Sequence, residues 1–294
     1  MSRLSEIKRR IKSVDSIGQV THAMELVAAS RMRKAQENAK RSRVYTEKIK
    51  QILVRVTTKQ RIALHPLLDL GSNPSKTTLI VVFSPHRGLA GSLPWNLLRF
   101  VLDLIGKIQK DGRMIKIMTI GKKVRDQLSR MHLTIDADFS DISEHPTTSD
   151  IHPIVTYITS QYLASDIGRV LVIYPQFVNA VKQQPVARVL LPLDPAELSL
   201  FGDSLASISL DNLPFLFEPD QRRIVDELLP AYLEGQLFQA RLETVASEYS
   251  ARMVAMKSAS DNAHELKDSL VLDFNKSRQS QITSELAEIT GGGL

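Results

Sequence analysis

"EYSARMVAMKSASDNAHELKDSLVLDFNKSRQSQITSELAEITGG", residues 248–292, contains no proline and meets its first glycine only at Gly291. From Ala231 onward Gly235 is the one other breaker, and the sixty residues to Thr290 predict a helix of roughly 90 Å at 1.5 Å per residue. Its apolar residues fall in a stripe through Leu242, Val245, Tyr249, Met253, Met256 and Ala263, then Leu270 and Phe274, then Ile282, Leu286 and Ile289. On a short helix such a stripe is ordinary core packing. A helix this long needs a partner of similar length.

That partner lies at the other end of the chain. From Leu4 to about Val56 there is no proline and a single glycine, Gly18. The apolar residues begin at heptad spacing with Leu4, Ile7, Ile11 and Val14. The stripe is then expected to slide to Ile17, Val20, Met24 and Val27, to thin through Ala28, Met32, Ala35 and Ala39, and to resume at Ile49, Leu53 and Val56. A period near 3.5 marks a coiled-coil seam, and small residues in its middle allow close approach. Charge points the same way: residues 1–61 hold 16 Lys and Arg against 5 Asp and Glu, whereas residues 218–294 hold 8 against 13. The two ends are expected to pair antiparallel, the first 61 residues with the segment from residue 218, with Met256 as the approximate limit of pairing.

Between them, residues 62–217 read as an α/β domain. Short β-branched runs, "KTTLIVVFS" (76–84), "RMIKIMTIG" (113–121), "HLTIDADF" (132–139), "RVLVIYPQF" (169–177) and "ARVLLPL" (187–193), alternate with helical stretches at 93–110, 122–131 and 151–165. That alternation predicts a largely parallel, Rossmann-like sheet. Proline, serine and aspartate crowd 192–220, a connecting region. Pro230 is expected to interrupt the start of the C-terminal helix. The composition, 43% apolar and 24% charged, is that of a globular chain, and no apolar run approaches membrane-spanning length.

The motifs offer little chemistry. There is no cysteine, so disulfides, thiolate metal sites and cysteine nucleophiles are excluded. The seven histidines never fall at i, i+3 or i+4 spacing, and no cofactor or metal site is expected. "FSPHRGLAGSLPWN" (83–96) follows a strand and precedes a helix, as a phosphate-binding turn does, but lacks the Lys-Ser/Thr ending and the three-glycine fingerprint. A tight packing turn is the expectation. The basic run "SRMRKAQENAKRSR" (30–43) has no interleaved aromatics, so nucleic acid is an alternative partner carried by charge alone.

Both ends together resemble the gamma subunit of the F-type rotary ATP synthase. "VTHAMELVAASRMRKAQ" (20–36) is similar to that family's N-terminal hallmark. "ARMVAMKSASDNAHELKDSLVLDFNKSRQSQITSELAEITGG" (251–292) is similar to its C-terminal signature. The resemblance implies a long antiparallel coiled coil of the N- and C-terminal helices plus a Rossmann-like α/β foot. This non-catalytic rotor shaft would stand inside a hexamer of alpha and beta subunits and rest on the membrane c ring and the epsilon subunit. It implies hexamer contacts at Met24, Arg31, Arg33, Lys34, Arg252, Gln279 and Thr283, and c-ring or epsilon contacts at Phe215, Phe217 and Glu218. It further implies a peripheral position on the cytoplasmic face of a bacterial membrane, held there only through the complex. Departures from the family pattern cluster at His86, Ala90, Ser92, Pro94 and Trp95, which admits a divergent second ATPase acting mainly as an ion pump. The cysteine-bearing insertion of chloroplast-type members is absent.

Overall fold

The computed structural model describes residues 3–58, 65–68, 73–143, 146–193, 218 and 220–291. The elements are α1 (Arg3–Thr58), β1 (Thr77–Phe83), α2 (Leu93–Lys110), β2 (Met114–Ile120), α3 (Lys122–Arg130), β3 (Ala137–Asp138), α4 (Thr148–Leu163), β4 (Arg169–Phe177), β5 (Gln183–Leu191) and α5 (Gln221–Gly291). The chain forms two compact units, Met1–Ser30 with Arg252–Leu294, and Arg31–Ala251. The connecting region expected at 192–220 falls almost wholly outside the described residues.

In the larger unit one mixed sheet has the order β3-β2-β1-β4-β5. The first four strands are mutually parallel, and β5 closes a hairpin antiparallel to β4. Strand alternation splits the core into two layers. Ile80 and Val82 of β1 point with Leu171 and Ile173 of β4 into a layer closed by Leu97, Leu98 and Val101 of α2 and Val124 and Leu128 of α3. Leu79, Val81 and Phe83 point the other way, onto Ile151, Ile154 and Ile158 of α4. That second layer also takes Ile49, Leu53 and Val56 of α1 and Leu229, Leu233 and Leu237 of α5. The ends of the chain are therefore part of the α/β core. Full burial of each such side chain contributes about 1.5–3 kcal/mol.

Three expectations are corrected here. The predicted strand 132–139 shrinks to two residues, and the exposed carboxylates of Asp136 and Asp138 take up hydrogen-bond donors of β2. Asp136 takes the Ile117 N–H at 2.8 Å, and Asp138 takes the Thr119 hydroxyl at 3.0 Å. Pro230 does not end the C-terminal helix: α5 starts nine residues before it and continues through it, at the loss of one backbone donor. The N-terminal stripe does not slide. In the smaller unit the covered positions of α1 stay in heptad register as Leu4, Ile7, Ile11, Val14, Gly18, Thr21, Glu25 and Ala28. In the larger unit Met32, Ala35, Ala39, Ser42, Thr46, Ile49, Leu53 and Val56 keep the same spacing. Ile17, Val20 and Val27 form a second stripe that points outward, 55%, 59% and 54% exposed.

In the smaller unit α5 answers at Met253, Met256, Ser260, Ala263, Lys267, Leu270, Phe274 and Ser277, all buried or half-buried. Pairing runs well past Met256. A Cβ on Gly18 would lie 3.4 Å from that of Ala263, and Lys267 Nζ reaches Asp15 Oδ1 at 2.6 Å, so the helices run antiparallel. This ion pair reverses the expected polarity, with the cation on the C-terminal helix. In the larger unit Arg43 and Glu243 pair in the expected sense, at 3.0 Å, and every Lys and Arg from Arg3 to Lys48 keeps an exposed side chain. Beyond Ser277, residues 278–287 of α5 are exposed on all sides.

In the larger unit the two helices approach so closely that a Cβ on Gly235 would sit 2.7 Å from Thr46 Oγ1. Gly235→Ala should therefore destabilise by about 1–3 kcal/mol through overpacking, more than the helix-propensity gain of up to about 1 kcal/mol. Gly106→Ala, whose Cβ meets nothing within 4 Å, should stabilise instead. Thermal unfolding of both variants checks the sign. A second expectation concerns pH. Burial alone would raise the Asp138 carboxyl, but hydrogen bonds from Ser140, Arg125 and Thr119 hold it below its ordinary 3.8. A depressed carboxylate adds stability above its unfolded pKa, and this is lost as pH falls through the folded value. Asp138→Asn should cost up to about 1 kcal/mol at neutral pH, the group being partly exposed, and nothing in strong acid; denaturant titrations at the two pH values test this.

Candidate functional site

Residues 241–250 of α5, "RLETVASEYS", are buried without interruption. Nearly three turns are covered on every face, although six of the ten side chains are polar or charged. Buried polar groups must be paired, and here the partners lie at the carboxyl ends of the strands. That edge is where open α/β sheets bind ligands.

The Glu248 carboxylate, 5% exposed, accepts the His86 N–H on Oε2 at 2.9 Å and the Arg87 N–H on Oε1 at 3.2 Å. These donors belong to the loop after β1, the turn weighed above as a phosphate cradle. They are occupied by a carboxylate of the same chain. The Ser247 hydroxyl donates to the Pro175 carbonyl of β4 at 2.8 Å. In the β4–β5 turn, the Ser250 hydroxyl donates to the Ala180 carbonyl at 2.7 Å and receives Gln183 Nε2 at 3.3 Å. Arg241, 1% exposed, sends Nη2 to the Ile142 and Ser143 carbonyls after β3 at 3.3 and 3.0 Å. Four separate backbone segments thus hold one helix.

Helix α1 grips the same stretch from its other side. Arg31 Nη1 donates to the Tyr249 hydroxyl at 2.9 Å, with the guanidinium carbon 5.6 Å from the ring centroid. Arg43 donates to Glu243 Oε1 at 3.0 Å. Lys50, also buried, has its ammonium pKa lowered by desolvation against the opposing pull of Glu47. Burial pushes the hydroxyls of Tyr174 and Tyr232 up to about 12, so both stay neutral hydrogen-bonding groups. A cavity of ≈ 380 Å³ lies beside this contact, lined among others by Lys34, Asn38, Arg41, Tyr45 and Phe238.

The residues singled out from the sequence are dispersed. In the smaller unit Met24 is half-buried, Gln279 and Thr283 are exposed on the uncovered end of α5, and Arg252 is 7% exposed. In the larger unit Arg31, Arg33 and Lys34 are exposed. Glu218 is exposed; Phe215 and Phe217 lie outside the described residues. Arg241, Ser247, Glu248 and Ser250 were not anticipated. The sequence carries no local signal for them: Leu242, Val245, Ala246 and Tyr249 share one face of "RLETVASEYS" and the polar residues lie opposite, the pattern of an amphipathic surface helix. Among the described residues no group of His, Asp and Glu could hold a metal ion, and no helix is long and apolar enough to cross a membrane.

The strand-end crevice of the α/β domain is filled by the chain's own terminal helix, and that helix also pairs with the opposite terminus. Comparison with known proteins gives the class. The family model described as "ATP synthase" matches residues 3–293. The ATP synthase gamma chain of Roseiflexus sp. (strain RS-1) is 40% identical over 293 residues, covering 99% of this chain and 98% of that one. That of Janthinobacterium sp. (strain Marseille) is 37% identical over 292 residues, covering 99% of each. Among solved structures, a chain of the Euglena gracilis mitochondrial ATP synthase (OSCP/F1/c-ring, rotational state 3) shares the fold with a TM-score of 0.66 at 19% identity, covering 98% of this chain and 93% of that one. A chain of the central stalk and c-ring of the Tetrahymena thermophila enzyme gives 0.59 at 23% identity, covering 82% and 99%. The chain belongs to the ATP synthase gamma chain family. It is a non-catalytic subunit of that enzyme.

Proposed function

We propose that this subunit couples ion flow through a membrane c ring to ATP synthesis or hydrolysis in an alpha-beta hexamer, with the epsilon subunit and the ring meeting its α/β foot. The observation that carries this reading is the second, outward stripe of α1. Ile17, Val20 and Val27 stay more than half exposed beside a seam that is already closed. An aligned apolar row of this kind supports a contact surface for another chain.

Met24 belongs to the same row and contacts the hexamer with it. Arg31, Arg33 and Lys34 present positive charge to acidic levers of beta. The uncovered end of α5, with Gln279 and Thr283, hydrogen-bonds weakly to hexamer loops, and exposed Ile282 and Leu286 supply shallow apolar contact. Arg252, mostly covered by its own chain, contributes through its remaining edge. Phe215, Phe217 and Glu218 are the contacts to the ring and epsilon. With no spanning helix among the described residues, membrane association runs through the complex, on the cytoplasmic face of a bacterial membrane.

Co-expression with cognate alpha and beta subunits should yield a hexamer holding one copy of this chain, and a chain that never enters such a complex contradicts the reading. In the assembled enzyme, Gln279→Ala should slow ATP turnover severalfold while leaving the unfolding midpoint within about 0.5 kcal/mol of wild type, as for other exposed sites.

A further inference from the structure

We infer that the strand-end crevice of the α/β domain is a carboxylate-binding site whose ligand is Glu248 of the chain's own α5, which makes Glu248 a positioning residue for torque. The inference rests on the rotor reading above and names the contact by which foot and helix turn together.

The geometry distinguishes this contact from ordinary packing. Each oxygen of the carboxylate takes one backbone N–H, His86 on Oε2 and Arg87 on Oε1, so the group is fixed in orientation as well as position. Seven residues earlier, two turns along the same face, Arg241 makes the complementary contact to the carbonyls of Ile142 and Ser143. One anchor presents a negative group to donors after β1, and the other a positive group to acceptors after β3. Rotating α5 by a single residue would swing both through about 100° and leave buried charges without partners.

An apolar seam resists such a rotation through burial and shape, without directional partners. The fixed carboxylate adds a directional restraint on twisting. The N–H groups that face it sit at the start of a loop leading into α2, whose buried Leu97, Leu98 and Val101 tie it to the sheet. Torque applied to the foot therefore enters α5 through rigid elements.

The test uses membranes carrying the assembled enzyme, with ATP hydrolysis and ATP-driven ion uptake measured on the same preparation. Glu248→Ala should retain hydrolysis within roughly twofold of wild type, while ions moved per ATP fall roughly threefold or more. Acetate supplies the carboxymethyl group that the variant lacks and should restore the ratio; chloride at equal ionic strength should not. Glu248→Gln keeps the side-chain volume but offers one acceptor and one donor to two N–H groups, and it should show the same loss without rescue. An unchanged ratio in both variants overturns the inference. So does a loss that acetate leaves in place in Glu248→Ala, or failure of both variants to assemble, since either result assigns Glu248 to folding alone. Failure of the rotor reading would look different: the wild-type chain itself would form no ATP-hydrolysing complex.

Discussion

Ten consecutive buried residues of α5, six of them polar or charged, are the constraint on which the α/β unit depends. A helix can be covered on every face only if its polar groups find partners in all directions, and residues 241–250 find them on β4, in the turns after β1 and β4, after β3, and on α1. Leaving one buried charge without its partner costs about 3–5 kcal/mol, a large fraction of a domain's net stability. The segment consequently admits one rotational setting. The crevice that holds a diffusible ligand in other doubly wound domains here holds a fixed internal one.

The antiparallel pair of the smaller unit uses a different chemistry. Its seam alternates large residues with Gly18, Thr21, Ala28, Ser260 and Ala263, and its interhelix ion pair joins side chains that are each 37% exposed. A solvent-exposed pair of that kind adds little to stability. Close backbone approach and modest apolar contact hold these helices together. The outward side of α1 keeps an apolar row and a dense set of cations, and the end of α5 keeps polar and aliphatic side chains in the open. Specific polar fixation within the α/β unit and available surface along the paired helices are the combination expected of a part that transmits force between other subunits.

Much of this was legible in the sequence. The two long helices, four of the five strands and the three intervening helices follow from breaker spacing and hydrophobic period, and the family motifs lie on the helices so predicted. What periodicity missed has a common cause. It treats polar residues as outward-facing and so slides the α1 stripe to Ile17, Val20, Met24 and Val27, whereas Gly18, Thr21 and Glu25 continue the seam and Ile17, Val20 and Val27 face out. The same assumption made "RLETVASEYS" look like one face of a surface coiled coil. Hydrogen-bond partners in the α/β domain, 67 to 162 residues away, decided its burial, and no local pattern encodes them. Pro230 does not interrupt α5 because the neighbouring core contacts of Leu229 and Leu233 outweigh one missing backbone hydrogen bond.

Amide hydrogen exchange of the isolated chain tests the central claim most directly, because it reads the protection of each stretch of α5 separately. Residues 241–250 should exchange with the strands β1 and β4, orders of magnitude more slowly than residues 278–287 of the same helix. Equal exchange along the two stretches would contradict the account, since it would mean that the α/β domain does not hold the helix it surrounds.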